Sequence, residues 1–298
     1  MDLSALVSLK AHIPEDAMSA SLLGTERTGH GARIREDGLI VTIGYVIHEA
    51  EQVWITSSDG MTVPGFVVGY DYDSGLGLVK PSMPLLGPVI PFGSGADINV
   101  GDHVSVAGSI ADPMDAKVVA KQEFAGRWEY LIDEAIFTAP HYENWSGAAL
   151  ISGDNKLCGI GSLVIQGFDV RGMPTTVNMF VPIDLIQPII EEVCEHGRRL
   201  APPRPWLGML VQDDHETLMV VGVYPDCPAH KAGLRAGDVI LRVDDSPVDG
   251  LAQMFRTIWS LGSAGVEIPM SIMRNSKRID KVVRSADRVS YQRIGTVQ

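Results

Sequence analysis

The chain has 298 residues, 45% of them hydrophobic and 20% charged, which excludes a disordered chain and leaves room for two domains with separate cores. Its 24 Lys and Arg against 37 Asp and Glu give a formal charge of -13, which repels phosphate backbones and argues against nucleic acid as a partner. Three cysteines without paired spacing, no secretory signal and no apolar run of membrane-spanning length together predict a reducing, cytoplasmic compartment. A periplasmic location is the alternative if a leader has been removed.

Short β-branched runs separated by Gly, Pro, Asp and Asn fill the first part of the chain, a pattern typical of a sandwich or barrel. The clearest predicted strands are residues 38–42, 52–56, 64–69, 75–80 and 103–108. A helix is then predicted over residues 184–196, with Asp184 near its N-cap and Gly197 as its stop.

A Pro- and Arg-rich stretch at residues 198–205 indicates a stiff linker and a domain boundary. Beyond it, strands are predicted at residues 207–212, 218–223, 238–243, 267–274 and 279–283. One amphipathic helix is predicted over residues 249–261, with Asp249 at its start. We expect the polar tail, residues 286–298, to be frayed.

Residues 228–241, PAHKAGLRAGDVIL, resemble the signature of the PDZ family, in which Ala-Gly-Leu-x-x-Gly-Asp-x-Ile joins a short helix to a strand. Glycines suit the point where a helix ends and the backbone turns sharply, and Asp238 can accept hydrogen bonds from the amides of that turn. An ordinary helix-to-strand turn explains one Gly-Asp pair but poorly explains so long a match.

This resemblance implies a peptide-binding PDZ domain over residues 206–285. Its carboxylate-binding loop, whose backbone amides would cradle a peptide's C-terminal carboxylate, corresponds to Trp206, Leu207, Gly208 and Met209. The peptide would add as a strand beside the predicted 249–261 helix. The groove residues that the resemblance implies are Met209, Val211, Met254, Phe255 and Ile258, and they predict an apolar C-terminal side chain on the ligand.

Two of these groove residues, Met254 and Phe255, are equally well explained by core packing. The acidic pair Asp213 and Asp214 is interpreted as a solvated turn.

Three motifs in the first part of the chain resemble the protease domain of the HtrA family. Residues 39–47, LIVTIGYVI, align without a gap with the segment that carries the family's general-base histidine, and Tyr45 stands at its position. Residues 71–80, DYDSGLGLVK, put Gly75 at the position of the aspartate that orients that histidine. Residues 144–150, NWSGAAL, match the nucleophile motif and retain Ser146.

The two resemblances predict a mainly β protein, a trypsin-like double β-barrel followed by an α+β PDZ domain. Its expected segments are an N-terminal segment 1–28, a protease domain 29–197, a linker 198–205, a PDZ domain 206–285 and a tail 286–298. The family commonly forms trimers through its N-terminal segment, so a homo-oligomer, or a hetero-oligomer with an active homologue, is expected. The apolar residues of that segment form an interface or pack on their own barrel: Leu3, Leu6, Val7, Leu9, Leu22 and Leu23.

The replaced residues predict a damaged catalytic site. A serine hydroxyl needs a base with a pKa near 7, whereas tyrosine, with a pKa of about 10, is protonated at neutral pH and donates a hydrogen bond. The oxyanion-hole region, residues 144–146 with Trp145 at its centre, has Asn144 where the family has glycine. Ser146 is therefore interpreted as a vestigial nucleophile.

Other histidines are weak candidates for the missing base. His48 lies three residues after Tyr45, one helical turn along, and a surface histidine is the commoner explanation for it. His30, His103 and His141 occupy ordinary strand, turn or loop positions, and Cys158 is interpreted as a buried apolar residue. Neither a metal site nor a cofactor is predicted.

The leading functional hypothesis is a pseudoprotease whose PDZ domain binds C-terminal or unfolded peptide segments, as an adaptor or quality-control factor. The alternatives are an active serine endopeptidase that uses Ser146 with a non-standard base, and a purely structural subunit of a larger assembly.

Overall fold

The computed structural model describes residues 3–85, 87–109, 113–169, 171–214 and 217–293. Residue contacts divide the described chain into two units. The first comprises residues 3–122 and 133–199, and the second comprises residues 123–132 and 200–293. The first unit contains two closed barrels and the second a single sheet with short helices. The predicted mainly β class, with a double barrel followed by a smaller domain, is confirmed.

The first barrel closes in the strand order β1-β2-β3-β6-β5-β4. Its elements are β1 (Leu6–His12), α1 (Ala20–Leu23), β2 (Glu26–Arg33), β3 (Ile40–Ile43), α2 (Gly44–Ile47), β4 (Gln52–Thr56), β5 (Thr62–Tyr70) and β6 (Leu76–Pro81). The predicted strand at 52–56 matches β4, and the other predicted strands shift by one or two residues. Closure pairs every strand on both sides, so the barrel has no free edge.

Strand β1 corrects the expectation that residues 1–28 form a separate segment, because it pairs with both β2 and β4. Its side chains alternate as in a half-buried strand: Leu9 and Ala11 are fully buried, whereas Lys10 is exposed. Of the apolar residues considered for an oligomer interface, Leu6, Val7 and Leu9 are buried in the barrel, and Leu22 and Leu23 are exposed on α1.

The second barrel closes in the strand order β10-β11-β12-β9-β8-β7. Its elements are β7 (His103–Ala107), β8 (Met114–Gly126), β9 (Tyr130–Ala139), β10 (Ala149–Ile151), β11 (Leu157–Phe168), β12 (Pro174–Pro182) and the following α3 (Ile190–His196). Buried apolar side chains from facing strands fill its interior, among them Val106, Leu150 and Phe180. The tip of the β8–β9 hairpin, residues 123–132, groups with the second unit.

The helix predicted over 184–196 is shorter in the structure. Two 3-10 turns, Ile183–Leu185 and Gln187–Ile189, precede α3, and Gly197 ends α3 in the left-handed conformation as predicted. Asp184 does not cap the helix, because its carboxylate accepts hydrogen bonds from Ser94 Oγ and from the Gly95 amide.

A buried carboxylate organises the turn before β6. Asp71 accepts two hydrogen bonds from the Arg199 guanidinium, both at 2.9 Å, and two more from the amide and hydroxyl of Ser74. The Asp71 side chain is 1% exposed, so these bonds satisfy a charge that is almost completely desolvated.

The second unit is a sheet in the order β13-β14-β15-β17-β18, with β16 paired to β15. Its elements are β13 (Met209–Asp213), β14 (Leu218–Val223), α4 (Pro228–Lys231), β15 (Val239–Val243), β16 (Ser246–Pro247), α5 (Leu251–Ser260), β17 (Glu267–Arg274) and β18 (Lys277–Arg284). The predicted apolar face of the second helix is confirmed, because Leu251, Met254, Phe255 and Ile258 of α5 are buried.

Two acidic residues of this unit, Asp238 and Asp213, accept hydrogen bonds from backbone amides. Asp238 accepts a hydrogen bond from the Arg235 amide and pairs with Arg274, which confirms its predicted role in the helix-to-strand turn. The prediction that Asp249 caps the second helix is wrong, because the amide of Leu251 donates to Asp213 Oδ2 instead. Asp213 is therefore a helix-capping residue and not simply part of a solvated turn.

The start of the tail is ordered, contrary to expectation. Ala286 pairs with Trp206 in an isolated bridge, and residues Arg288–Tyr291 form a 3-10 turn. The last five residues of the expected tail lie outside the described residues. Within the described chain, the helices are too short to span a bilayer.

We expect Asp71→Ala to lower the free energy of unfolding by about 2–4 kcal/mol, since it leaves Arg199 and Ser74 without their common acceptor. Urea denaturation followed by circular dichroism measures the change. Asp37→Ala is the matched control, because Asp37 pairs with Lys80 and Arg35 on the surface and should contribute less than about 1 kcal/mol. Equal losses in the two variants would contradict this account of the Asp71 turn.

Candidate functional site

Ser146 lies in a tight turn that leads into β10 and packs against strand β2. The His30 amide donates to the Ser146 carbonyl oxygen at 2.8 Å. The next residue, Gly147, has φ +74°, and a Cβ atom there would lie only 2.0 Å from the His30 carbonyl oxygen. The turn therefore requires glycine at 147, and it holds Ser146 at a fixed position beside β2.

Tyr45, at the position expected for the general base, lies on the helical turn α2. Its hydroxyl donates a hydrogen bond to the Ser162 carbonyl oxygen at 2.9 Å. Burial raises the pKa of the Tyr45 hydroxyl to about 12, although the nearby polar side chains of Ser146 and Trp145 lower it in part. At neutral pH this group carries its proton and cannot accept one from serine.

The hydroxyl of Ser146 is buried, and among the described residues it has no hydrogen-bond partner. An activated serine donates its hydrogen bond to a base at about 2.6–3.2 Å. No side chain of the described chain forms that hydrogen bond here.

Gly75, at the position expected for the orienting aspartate, has φ +74° and lies in the turn that Asp71 organises. Its carbonyl oxygen accepts a hydrogen bond from the Gly44 amide, and its own amide donates to the Asp71 carbonyl oxygen. Both carboxylates of this turn face Arg199, with Asp71 at 2.9 Å and Asp73 at 3.9 Å. Neither therefore replaces the missing aspartate beside Tyr45.

His48, expected on the surface, is buried, and that expectation is wrong. Its ring lies 5.2 Å from the ring of Tyr70 and 5.9 Å from that of Tyr72, measured between centroids. Its Nδ1 is 3.9 Å from a carboxylate oxygen of Glu49. His48 thus belongs to an aromatic cluster with Tyr70 and Tyr72, while Ser146 Oγ has no bond to it.

His30 is the residue of this region that sequence analysis undervalued. It lies with Ser146 and Tyr45 in an open cleft of about 440 Å³. Its Nδ1 accepts a hydrogen bond from the Ser109 amide at 3.2 Å, and burial lowers its pKa below the ordinary value of 6.5. Strand β2 brings His30 to the cleft through pairing across the barrel, which no local sequence signal indicates. His103 and His141 are exposed.

The expected oxyanion-hole region, Asn144 and Trp145, lines the same cleft. The non-glycine residues with positive φ in the described chain do not include Asn144. The backbone here consequently lacks the conformation for which glycine is needed at this position.

The second site is the predicted carboxylate-binding loop before β13. Its backbone amides do surround a carboxylate, that of Glu129 at the tip of the β8–β9 hairpin. The Leu207 amide donates to Glu129 Oε2 at 2.9 Å, and the amides of Gly208 and Met209 donate to Oε1 at 2.7 and 3.2 Å. Gly208 has φ +77°, and a Cβ atom there would lie 2.5 Å from Cys227 Cβ, so the loop requires glycine.

The expected groove residues belong to the buried core of the second unit. Met209, Val211, Met254, Phe255 and Ile258 are each no more than 1% exposed, and Leu131 from the hairpin tip packs in the same cluster. Trp206, the first residue of the loop, is also buried, and its ring lies near those of Tyr224 and Tyr291.

Burial dominates the electrostatics of Glu129. It raises the pKa of this carboxyl to about 7, although the three loop amides and the charge of Arg288 favour the ionised form. Sequence analysis missed Glu129, because a single acidic residue in a hairpin carries no local signal of the loop that it contacts.

We expect the His30 ring to titrate below pH 6.5, because burial disfavours its charged form. The stability that neutral His30 contributes is complete above the unfolded-state pKa, about 6.5, and is lost as the pH falls toward the lower folded-state pKa. Proton NMR of the imidazole gives the midpoint directly. Denaturation at pH 7.0 and 5.5 should show a smaller pH effect in His30→Gln than in the wild type.

His141→Gln, which changes an exposed histidine, is the control for that experiment. A His30 midpoint at or above 6.5 would contradict the buried, neutral ring.

Comparison with known families identifies both units. Residues 29–160 match the trypsin-like peptidase domain family, and residues 205–283 match the PDZ domain family. The chain is 26% identical over 275 residues to a "Probable periplasmic serine endoprotease DegP-like" of Halomonas elongata, an alignment that covers 87% of this chain and 56% of that protein. It is 25% identical over 248 residues to "Serine endoprotease DegS" of Haemophilus influenzae, an alignment that covers 79% of this chain and 70% of that protein.

The chain thus spans little more than half the length of the DegP-like relatives. Solved structures share its fold. The "HtrA-type protease AlgW with tripeptide" has a TM-score of 0.54 at 21% identity and covers 95% of this chain and 93% of its own. A serine endoprotease from Yersinia pestis also has a TM-score of 0.54, at 23% identity, and the match covers 95% of this chain and 94% of that one. The chain therefore carries a trypsin-like peptidase domain followed by a PDZ domain, and it is similar in this arrangement to relatives of the HtrA and DegP type.

Proposed function

We propose that this chain is an HtrA-type protease homologue that does not cleave peptides and instead binds their C-terminal ends through its PDZ domain, as an adaptor or quality-control factor. The observation that carries the proposal is the state of the two groups that would have to exchange a proton. Ser146 Oγ is buried without a hydrogen-bond partner in the described chain, and the Tyr45 hydroxyl donates to a backbone carbonyl.

Proteolysis by serine requires the Ser146 proton to leave as the new bond forms to the substrate carbonyl carbon. A tyrosine with a pKa of about 12 retains its own proton at neutral pH, so it cannot take a second one. Gly75 supplies no side chain to hold a base in position. Loss of single triad members lowers the rate of such enzymes by roughly 10⁴-fold or more, and two positions differ here.

The alternative, an active endopeptidase, would need a base from elsewhere in the fold. His30 is the histidine that lines the cleft among the described residues. Its Nδ1 already accepts from the Ser109 amide, and no hydrogen bond joins its ring to Ser146 Oγ. Catalysis by His30 would therefore require a rearrangement of this side chain.

Peptide binding is supported by the amide-lined loop. Three amides directed at one carboxylate form the type of cradle that a peptide's C-terminal carboxylate occupies, and the adjoining cluster is apolar. Several related solved structures are described as complexes with a tripeptide or a decapeptide. The names of the DegP-like relatives favour the periplasmic alternative over the cytoplasm for this chain.

A fluorophosphonate probe tests the absence of catalysis. We expect no labelling of Ser146 and no cleavage of unfolded casein above the level of Ser146→Ala, with folding verified by circular dichroism. Labelling and cleavage that disappear in Ser146→Ala would overturn the proposal. In that event, loss of both in His30→Gln as well would identify His30 as the base.

A fluorescently labelled peptide with an apolar C-terminal residue tests the binding function. Fluorescence anisotropy should show saturable binding of the free-acid peptide and at least about tenfold weaker binding of the same peptide with a C-terminal amide, because the loop amides need a carboxylate acceptor. Equal affinities for the two peptides would contradict recognition of a C-terminus.

A further inference from the structure

The β8–β9 hairpin tip touches both walls of the PDZ groove. On one wall, the Val211 amide of β13 donates to the Arg127 carbonyl oxygen at 2.9 Å. On the other, Glu123 forms an ion pair with Arg256 of α5. The tip thus lies where an added peptide strand is expected, between β13 and α5.

The order of the contacts within the tip is that expected of a bound peptide end, with a backbone contact to the strand first and a carboxylate at the loop after it. Arg127 supplies the backbone acceptor to the strand, and two residues later Glu129 supplies the carboxylate to the amides of the loop. Residues 127–129 form the turn of the hairpin, and within that turn Arg127 lies against β13 while Glu129 lies against the loop before β13. Leu131 places an apolar side chain in the cluster that contains Met209 and Phe255.

The backbone at Glu129 explains how a continuous chain can imitate an end. Glu129 has φ +60°, a conformation that few non-glycine residues adopt, and there the chain turns into β9 instead of ending. The carboxylate comes from the side chain, because the backbone of a continuing chain has none to offer.

We infer that Arg127–Glu129 is an internal ligand of the PDZ groove, and that an external C-terminal carboxylate reaches the amides of Leu207, Gly208 and Met209 only by displacing Glu129. The inference rests on the proposed peptide-binding function for its external ligand, but the internal occupancy can be tested without one. Self-occupation lowers the apparent affinity for peptide by the fraction of molecules in which the loop is free.

The competition depends on pH, because docking changes the ionisation of Glu129. The pKa of the Glu129 carboxyl is about 7 when docked and 4.5 in the ordinary exposed state. The docked carboxyl therefore takes up a proton more readily than the free one, and docking weakens as the pH rises from 4.5 through 7. From pH 6 to pH 8 this linkage weakens docking about tenfold. A peptide's terminal carboxylate is already ionised throughout this range.

The other charged and titratable groups around the Glu129 carboxylate do not reverse this direction. Arg288 contributes positive charge, and its effect is already included in the pKa of about 7. Burial raises the pKa of the Tyr224 hydroxyl above its ordinary value and that of the Cys227 thiol to about 11, so both stay neutral from pH 6 to pH 8.

Amide hydrogen exchange, resolved by ¹⁵N NMR, tests the internal ligand without any peptide. We expect the amides of Leu207, Gly208 and Met209 to exchange at least tenfold faster in Glu129→Ala than in the wild type. Their wild-type resonances should titrate with a midpoint near pH 7, and this titration should be absent in Glu129→Gln. Glu134→Ala, which removes an exposed carboxylate on β9, is the matched control and should leave exchange unchanged. Unchanged exchange in Glu129→Ala would overturn the inference.

Peptide titration then separates the inference from the proposed function. The free-acid peptide should bind Glu129→Ala at least tenfold more tightly than the wild type, and wild-type affinity should rise with pH while that of Glu129→Gln does not. Release of the loop amides without peptide binding would support the internal ligand and refute peptide recognition. Equal affinity in the wild type and both variants would refute the internal ligand alone.

If Glu129→Ala does not fold, the pH titration of the loop amides in the wild-type protein tests the inference instead. The absence of a titration near pH 7 at the loop amides would then overturn the inference.

Discussion

The hydrogen bond from the His30 amide to the Ser146 carbonyl oxygen is the contact on which the catalytic-type cleft depends. It holds the Ser146 turn against β2 and brings backbone so close at Gly147 that only glycine fits. The turn that carries Ser146 is therefore held in place, and the proposed lack of catalysis rests on the groups around the hydroxyl. Position and activation of a serine are separable properties, and the proposed function depends on the second.

Most buried polar groups of both sites have a partner inside the fold, and Ser146 Oγ is an exception. Asp71 is satisfied by Arg199 and Ser74, and the Tyr45 hydroxyl by a carbonyl oxygen. The loop amides of the PDZ domain are satisfied by Glu129. The Tyr45 hydroxyl and the loop amides, which chemistry or ligand binding would use, are thus already engaged with another part of the chain.

Much of the fold follows from sequence patterns, since period-two alternation and turn residues act locally. Strand β4, the β14 and β17 strands, and the apolar face of α5 all follow from such patterns. The wrong predictions involve partners distant in sequence. Asp249 has the right residue type and place for a cap, yet Asp213 reaches the helix start from another strand. His48 looks like a surface residue until Tyr70 and Tyr72 cover it. Glu129 and Leu207 are 78 residues apart, so no local rule could join them.

The left-handed backbone at Gly75 limits which residues this position can accept. With φ at +74°, an aspartate at this position would adopt a conformation that costs L-residues about 1–2 kcal/mol, and it would do so in a turn already held by Asp71. A histidine placed at position 45 would still lack an orienting carboxylate unless this turn were rebuilt. Under the proposed function, a single substitution at Tyr45 or at Gly75 would therefore not by itself build a working base, because the side chain and the turn that orients it would both have to change.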